Sequence, residues 1–163
     1  MPIKVLFVCL GNICRSPMAE AVFSDLVQKS NLQDHFEIDS AGTGDWHIDS
    51  AAHPGTLGIL EENGIFYEGT GRQIARADLD IFDYILTMDD ENLHSVKKLG
   101  KGHAQVFPLL HFARDVNKIR EVPDPYFVGG FDVVHNLVNA GCSGLLEHIR
   151  REHQLPPATS STR

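Results

Sequence analysis

The sequence predicts an α/β fold in which a mostly parallel sheet is covered on both faces by helices. Three observations predict it. Short, nearly continuous apolar runs such as "IKVLFV" (Ile3 to Val8) have the composition of strands buried on both faces. Other segments place their apolar residues at helical spacing instead. The two kinds alternate along the chain, as in βα units with parallel strands.

The elements follow in order. After the first strand, Ala19, Val22, Phe23 and Leu26 fall at i, i+3, i+4 and i+7, so a helix takes over from Pro17. Ser16 is placed to cap it, and Pro17 suits a first helical position, where no amide donor is needed. "HFEID" (His35 to Asp39) is the second strand, followed by the loop "SAGTGDWHIDSAA" and a helix from near Pro54 to Gly64. "DYILTM" (Asp83 to Met88) is the third strand. "DDENLHSVKKL" is a helix capped by Asp89 and closed by Gly100, and "AQVFPL" is the fourth strand. The polar loop "REVPDPYFVGG" precedes a last helix from about Phe131 to Glu152. On it Val138, Cys142, Leu145, Leu146 and Ile149 share one face, which assigns Cys142 to core packing.

The 163 residues suit one domain, expected over residues 1–155, with a tail over 156–163 whose prolines and small polar residues predict disorder. No internal repeat interrupts it. A net charge of −8 opposes any global attraction to nucleic acid or to an anionic membrane, so an anionic ligand would need a local site. No apolar run reaches the roughly 18 residues of a spanning helix. The apolar start lacks a cleavage site, and the three cysteines are too few for a disulfide scaffold; both point to the cytoplasm and reduced thiols. With no large apolar patch in view, a monomer is expected.

The chemistry concentrates in "VCLGNICRSP", the junction of first strand and first helix. Five residues separate Cys9 from Arg15, enough for the chain to curl. A loop curled at a helix N-terminus turns its amides inward into an anion-sized nest, and an arginine fork completes it around phosphate oxygens. Gly11 and Asn12 are residue types that tolerate the positive φ of such a curl. A cysteine at a helix N-terminus beside a cation is activated as a thiolate nucleophile, and Ser16 and the loop amides are available to stabilise it. Attack on phosphorus through a phosphocysteine then requires an acid for the leaving group. Asp124, held between Pro123 and Pro125 in "VPDPYF", is the candidate, and the rate should be bell-shaped in pH.

Taken in order, "VCLGNICRSPMAE", "DSAGTGDWH", "FDYILTMDDENL" and "VPDPYF" resemble the low-molecular-weight protein tyrosine phosphatases, from about Ile3 to Arg150. The resemblance implies a three-layer α/β/α fold around a four-stranded parallel sheet. It implies Cys9 as nucleophile, Arg15 as phosphate clamp, Asp124 as general acid and base, and residues Leu10, Gly11, Asn12, Ile13, Cys14, Arg15 and Ser16 as the phosphate-binding loop. It implies that Ser16 bonds the sulfur, that Asn12 is left-handed and held by Ser40, and that Cys14 is the redox partner of Cys9. Leu10, Ile13, Trp46 and Tyr126 become walls of a slot for the substrate ring. Related enzymes acting on phosphoarginine carry threonine at the position of Ile13, so isoleucine favours phosphotyrosine. The implied partner is a phosphotyrosine-containing protein, a tyrosine kinase being one candidate, with inorganic phosphate as product and no cofactor. There are two departures. Gly69 stands where many members have histidine or arginine, which predicts a missing bond to the asparagine network. Phe127 stands where many relatives have a second tyrosine, which removes one candidate phosphorylation site and leaves Tyr126.

Other readings are weaker. An arsenate reductase could use the same cradle, but it needs resolving cysteines, and none lies between Cys14 and Cys142. A silent phosphate binder would be suggested by loss of Cys9, Arg15 or Asp124, and all are present. A zinc site needs further ligands beside Cys9 and Cys14. The nine histidines show no metal spacing and most are assigned to the surface, and the acids of "DLDIFDY" are read as ordinary surface and helix-start residues. "KKLGKGH" lacks Walker spacing, and "GTGDWH" lacks the third glycine of a dinucleotide loop.

Overall fold

A computed structural model describes residues 1–156 except 115, 117 and 128, so the tail expected to be disordered lies outside the described residues apart from Pro156. The elements are β1 (Ile3–Cys9), α1 (Arg15–Lys29), β2 (Phe36–Gly42), α2 (Pro54–Glu62), α3 (Asp78–Ile81), β3 (Tyr84–Thr87), α4 (Asp90–Lys98), β4 (Gln105–Pro108) and α5 (Phe131–Glu152). Every strand and long helix read from the sequence is present.

The four strands form one parallel sheet in the order β2-β1-β3-β4. Strand period explains the two cores. Val5, Phe7 and Cys9 face α1, α2 and α5, where Phe23 meets Phe7 and Phe36 edge-on with ring centroids 5.5 Å apart. Leu6 and Val8 face α3 and α4, packing with Leu79, Ile85 and Val96. The result is the expected α/β/α layering. Each fully buried aliphatic or aromatic side chain contributes roughly 1.5–3 kcal/mol, so the central strand is the best anchored part of the molecule.

β1 has β2 on one side and β3 on the other. The chain therefore reverses its direction of growth at the carboxyl end of β1, which is where open α/β sheets form a ligand crevice. The loop that follows β1 begins at Cys9, opposite Gly42 at the end of β2. A side chain at Gly42 would press within 2.8 Å of the Leu10 carbonyl oxygen, so glycine lets β2 run against the loop.

The start of α1 differs from expectation. The helix begins at Arg15, its N-cap is Cys14, and Ser16 lies inside the first turn. Ser16 does not cap because its hydroxyl is used by the sulfur and by Asn12. Pro17 remains within the first turn, where amides lack intrahelical acceptors anyway. Asp89 caps α4 as expected, accepting from the Asn92 amide at 2.8 Å while the Asn92 side chain accepts from the Asp89 amide. Cys142 is fully buried with its four apolar neighbours on α5. Among the described residues no helix is long and apolar enough to cross a membrane.

Candidate active site

The loop from Cys9 to Ser16 is held from outside by its carbonyls. Cys9 O accepts from Thr43 N at 2.9 Å, Leu10 O from Gly44 N at 2.9 Å, Ile13 O from His53 N at 2.8 Å and Cys14 O from Thr56 Oγ1 at 3.0 Å. With these carbonyls turned outward, the amides of Gly11, Ile13 and Cys14 have no protein acceptor among the described residues. Such inward amides beside a helix N-terminus form an anion nest. Asn12 is left-handed, φ 57°, as expected. Gly11 is not; its φ is not positive, so its small size, with His47 Cδ2 3.1 Å from where a Cβ would stand, is what the loop uses.

Cys9 Sγ lies buried at the base of the curl. It accepts from the Asn12 amide at 3.3 Å and lies 3.0 Å from Ser16 Oγ. The Asn12 side chain is fully employed: Nδ2 donates to Ser16 Oγ at 2.8 Å and to Ser40 Oγ at 3.0 Å, and Oδ1 accepts from the Arg72 amide at 2.9 Å. The bond expected to be missing at Gly69 therefore leaves no amide atom of Asn12 idle. Cys14 is buried, and burial together with the nearby charges of Cys9 and Asp124 pushes its thiol up to about 12 against the pull of Arg15. All three cysteines are free thiols.

Arg15 is almost wholly buried beside the sulfur. Its Nη1 donates to Asp89 Oδ2 at 2.7 Å and to the Val122 carbonyl at 3.0 Å, and its Nη2 reaches Asp124 Oδ2 at 3.4 Å. Burial works against its charge, but Cys9, Asp89 and Asp124 outweigh that cost and raise its pKa. Its Nε is a buried donor without a partner among the described residues. One edge of the guanidinium is thus fastened by protein, and the other, Nε with the loosely held Nη2, is left to pair with two oxygens of an anion.

Above this base sits a cavity of about 400 Å³. Leu10, Ile13, Trp46 and Tyr126 line it as expected, together with Asp124. Two further walls, His47 and Phe127, escape sequence reasoning. Asp89 is more than a helix cap, since a second oxygen of the same carboxylate anchors Arg15. The cap is legible locally; the ion pair, 74 residues apart, is not. Asp78 of "DLDIFDY" starts α3, as that reading allows, but it is buried and holds both terminal nitrogens of Arg72 at 3.1 Å, which places the Arg72 amide against Asn12. His53 caps α2 through Nδ1, a role that no sequence spacing marked, and stacks on Phe131.

A thiol in an amide nest, an arginine with a free edge and a carboxylate beside an apolar slot fit the site of a cysteine-based phosphatase. The description of the low molecular weight phosphotyrosine protein phosphatases matches residues 4–155, and the chain belongs to that family. It is 47% identical to the low molecular weight protein-tyrosine-phosphatase YfkJ of Bacillus subtilis over 94% of this chain and 99% of the relative. The crystal structure of YfkJ superposes with a TM-score of 0.89, covering 93% of this chain and 97% of that one. PtpA of Staphylococcus aureus, also named a low molecular weight protein-tyrosine-phosphatase, is 38% identical over 94% of this chain and 97% of its own. A Drosophila arginine phosphatase shares the fold, with a TM-score of 0.84 and 34% identity over 91% of this chain and 98% of that one.

Proposed function

We propose that the protein hydrolyses phosphotyrosine in proteins, and small aryl phosphates, through a phosphocysteine on Cys9. The observation that carries this reading is the unpartnered Nε of buried Arg15, on the edge it shares with the loosely held Nη2, set beside a sulfur that accepts from the Asn12 amide and lies 3.0 Å from Ser16 Oγ. The loop amides and that edge bind the phosphate dianion, and Cys9 attacks phosphorus in line with the ester oxygen. The phosphorus–oxygen bond breaks, and Asp124 gives its proton to the departing phenolate. Water then attacks the phosphocysteine, Asp124 takes its proton, the sulfur–phosphorus bond breaks and inorganic phosphate leaves. Phosphate on Arg15 takes the place of Asp124 as a partner of Nη2, which releases the carboxyl group toward the leaving oxygen.

The slot supports a flat aromatic substrate. Ile13 is buried at its base, with Trp46 and Tyr126 as outer walls. An apolar wall at residue 13 offers nothing to hydrogen-bond a guanidinium, which favours phosphotyrosine over phosphoarginine. Tyrosine-phosphorylated cytoplasmic proteins are the proposed partners, a tyrosine kinase among them, and the enzyme acts as a monomer. Cys14 is the proposed partner for reversible oxidation of Cys9 by a peroxide. Arsenate reduction would need another thiol within reach, but Cys142 is buried in α5, its sulfur 3.7 Å from the Ala19 carbonyl.

Hydrolysis of an aryl phosphate with chelator present, measured across pH, tests the proposal. The wild type should turn over with a bell-shaped profile, and Cys9→Ser should abolish turnover. Full activity of Cys9→Ser, or loss of wild-type activity to the chelator, would sink it.

A further inference from the structure

The hydrogen bonds behind the sulfur diverge from the Asn12 side chain. Asn12 Nδ2 spends its two hydrogens on Ser16 Oγ and Ser40 Oγ, so both hydroxyl oxygens are acceptors and each hydroxyl hydrogen must go elsewhere. For Ser16 the acceptors in reach are Cys9 Sγ at 3.0 Å and the Ala41 carbonyl at 3.4 Å. For Ser40 the acceptor is Glu20 Oε1 at 2.6 Å. The same carboxylate oxygen accepts from the Tyr67 hydroxyl at 2.8 Å.

Glu20 is therefore the acceptor that ends the Ser40 branch and keeps Ser40 free to accept from Asn12, whose other hydrogen goes to Ser16 beside Cys9. Burial raises its pKa, the hydroxyls of Ser40 and Tyr67 oppose that rise, Asp39 adds to it and Arg72 reduces it. Were Glu20 protonated on Oε1, it would donate to Ser40, whose hydrogen would then compete with Asn12. Tyr67 sits in a particular place: a Cβ on Gly69 would overlap its phenol oxygen and the ring carbon that bears it. The space in which a side chain at residue 69 would project is filled from two residues earlier.

We propose that Tyr67 is a positioning residue for the nucleophile, its hydroxyl holding the Glu20 carboxylate as the terminal acceptor of a network that orients Ser16 and Asn12 on the Cys9 sulfur. This rests on the reading of Cys9 as nucleophile. Tyr67→Phe removes one oxygen and keeps the ring. Its effect is read by the rate of iodoacetate alkylation of Cys9 from about pH 4.5 to 8, with thermal midpoint and aryl phosphate kinetics recorded alongside. Burial holds Cys14 and Cys142 protonated, so alkylation reports Cys9.

Alkylation near pH 6 should slow about 3- to 10-fold, the loss of one hydrogen bond's net contribution, with the profile displaced to higher pH. The kcat should fall by a similar factor and KM change less than about twofold. Glu20→Gln should displace the profile in the same direction, and it serves as the deciding variant if Tyr67→Phe does not fold. An unchanged alkylation profile in the deciding variant, even with a lowered thermal midpoint, overturns the proposal and leaves Tyr67 a packing residue. A wild-type profile like that of a free thiol overturns the nucleophile reading itself, a result distinct from the first.

Discussion

The two halves of the site are built in opposite ways. On the nucleophile side Asn12 through Ser16 are all buried, and outward bonds secure the carbonyls of Cys9, Leu10, Ile13 and Cys14. On the acid side, Val122 is tied to the core by its amide, which donates to Met88 O at 2.8 Å, and by its carbonyl, which accepts from Arg15, while Asp124 is held by Arg15 Nη2 at 3.4 Å. Beyond it the loop bonds mostly to itself, the Tyr126 amide to Asp124 Oδ1 and the Gly129 amide to Pro125 O, and Phe127 is 89% exposed. The contrast has a physical basis. Stabilising charge on a thiolate and a phosphate requires dipoles that do not reorganise, whereas a proton donor must meet leaving groups of different shapes.

Substitutions should separate the halves by what they change. Asp124→Ala should lower kcat for a poor phenol leaving group by about 10²–10⁴-fold, less for an acidic phenol, with the thermal midpoint within about 2 °C of wild type. A large loss of stability in that variant would mean that the acid loop is as much a part of the scaffold as the cradle. Asn12→Ala should affect both properties. It deletes three buried hydrogen bonds and forces alanine into a left-handed backbone, a cost of about 2–4 kcal/mol, or roughly 5–10 °C by calorimetry. Turnover should drop with it; retained stability would mean that the cradle keeps its shape without the Asn12 bonds.

The smallest effect is a control remote from both halves. Asp83, just before β3, accepts from the Lys4 amide at 2.8 Å and pairs with His103 Nε2 at 2.7 Å. Burial acts to raise its pKa, but these two partners prevail and hold it below the ordinary carboxylate range. Its folded-state pKa is lowered, so the stability it contributes is present above the unfolded-state pKa and is lost as pH falls through the folded one. Asp83→Asn should flatten the acid-side decline of the thermal midpoint between about pH 5 and pH 3 while leaving turnover at pH 6 unchanged. A change in turnover would show that strain at the sheet edge reaches the cradle.

Elements that depend on neighbours in sequence could be read without coordinates. The β1 run, the buried face of α5 around Cys142 and the Asp89–Asn92 cap are patterns of burial and spacing within a few residues. So is the curl from Cys9 to Arg15, because the five residues between them are too few to wander and enough to curl. The start of α1 departs from its spacing because Ser16 has two uses for its hydroxyl, and sequence spacing shows only the local one.

The remaining parts depended on which strands lie side by side. Arg15 meets Asp89 across 74 residues and Asp124 across 109, and Asn12 meets the Arg72 amide across 60. No hydrophobic period encodes these encounters; the order β2-β1-β3-β4 does, by bringing the ends of β1 and β3 and the start of α4 together. Chain-local energetics therefore pointed to the candidate nucleophile and its loop. The anchors of Arg15, the support of Asn12 and the hydroxyl of Tyr67 became visible only once packing had joined distant segments, because a buried polar atom takes whichever partner the fold brings to it.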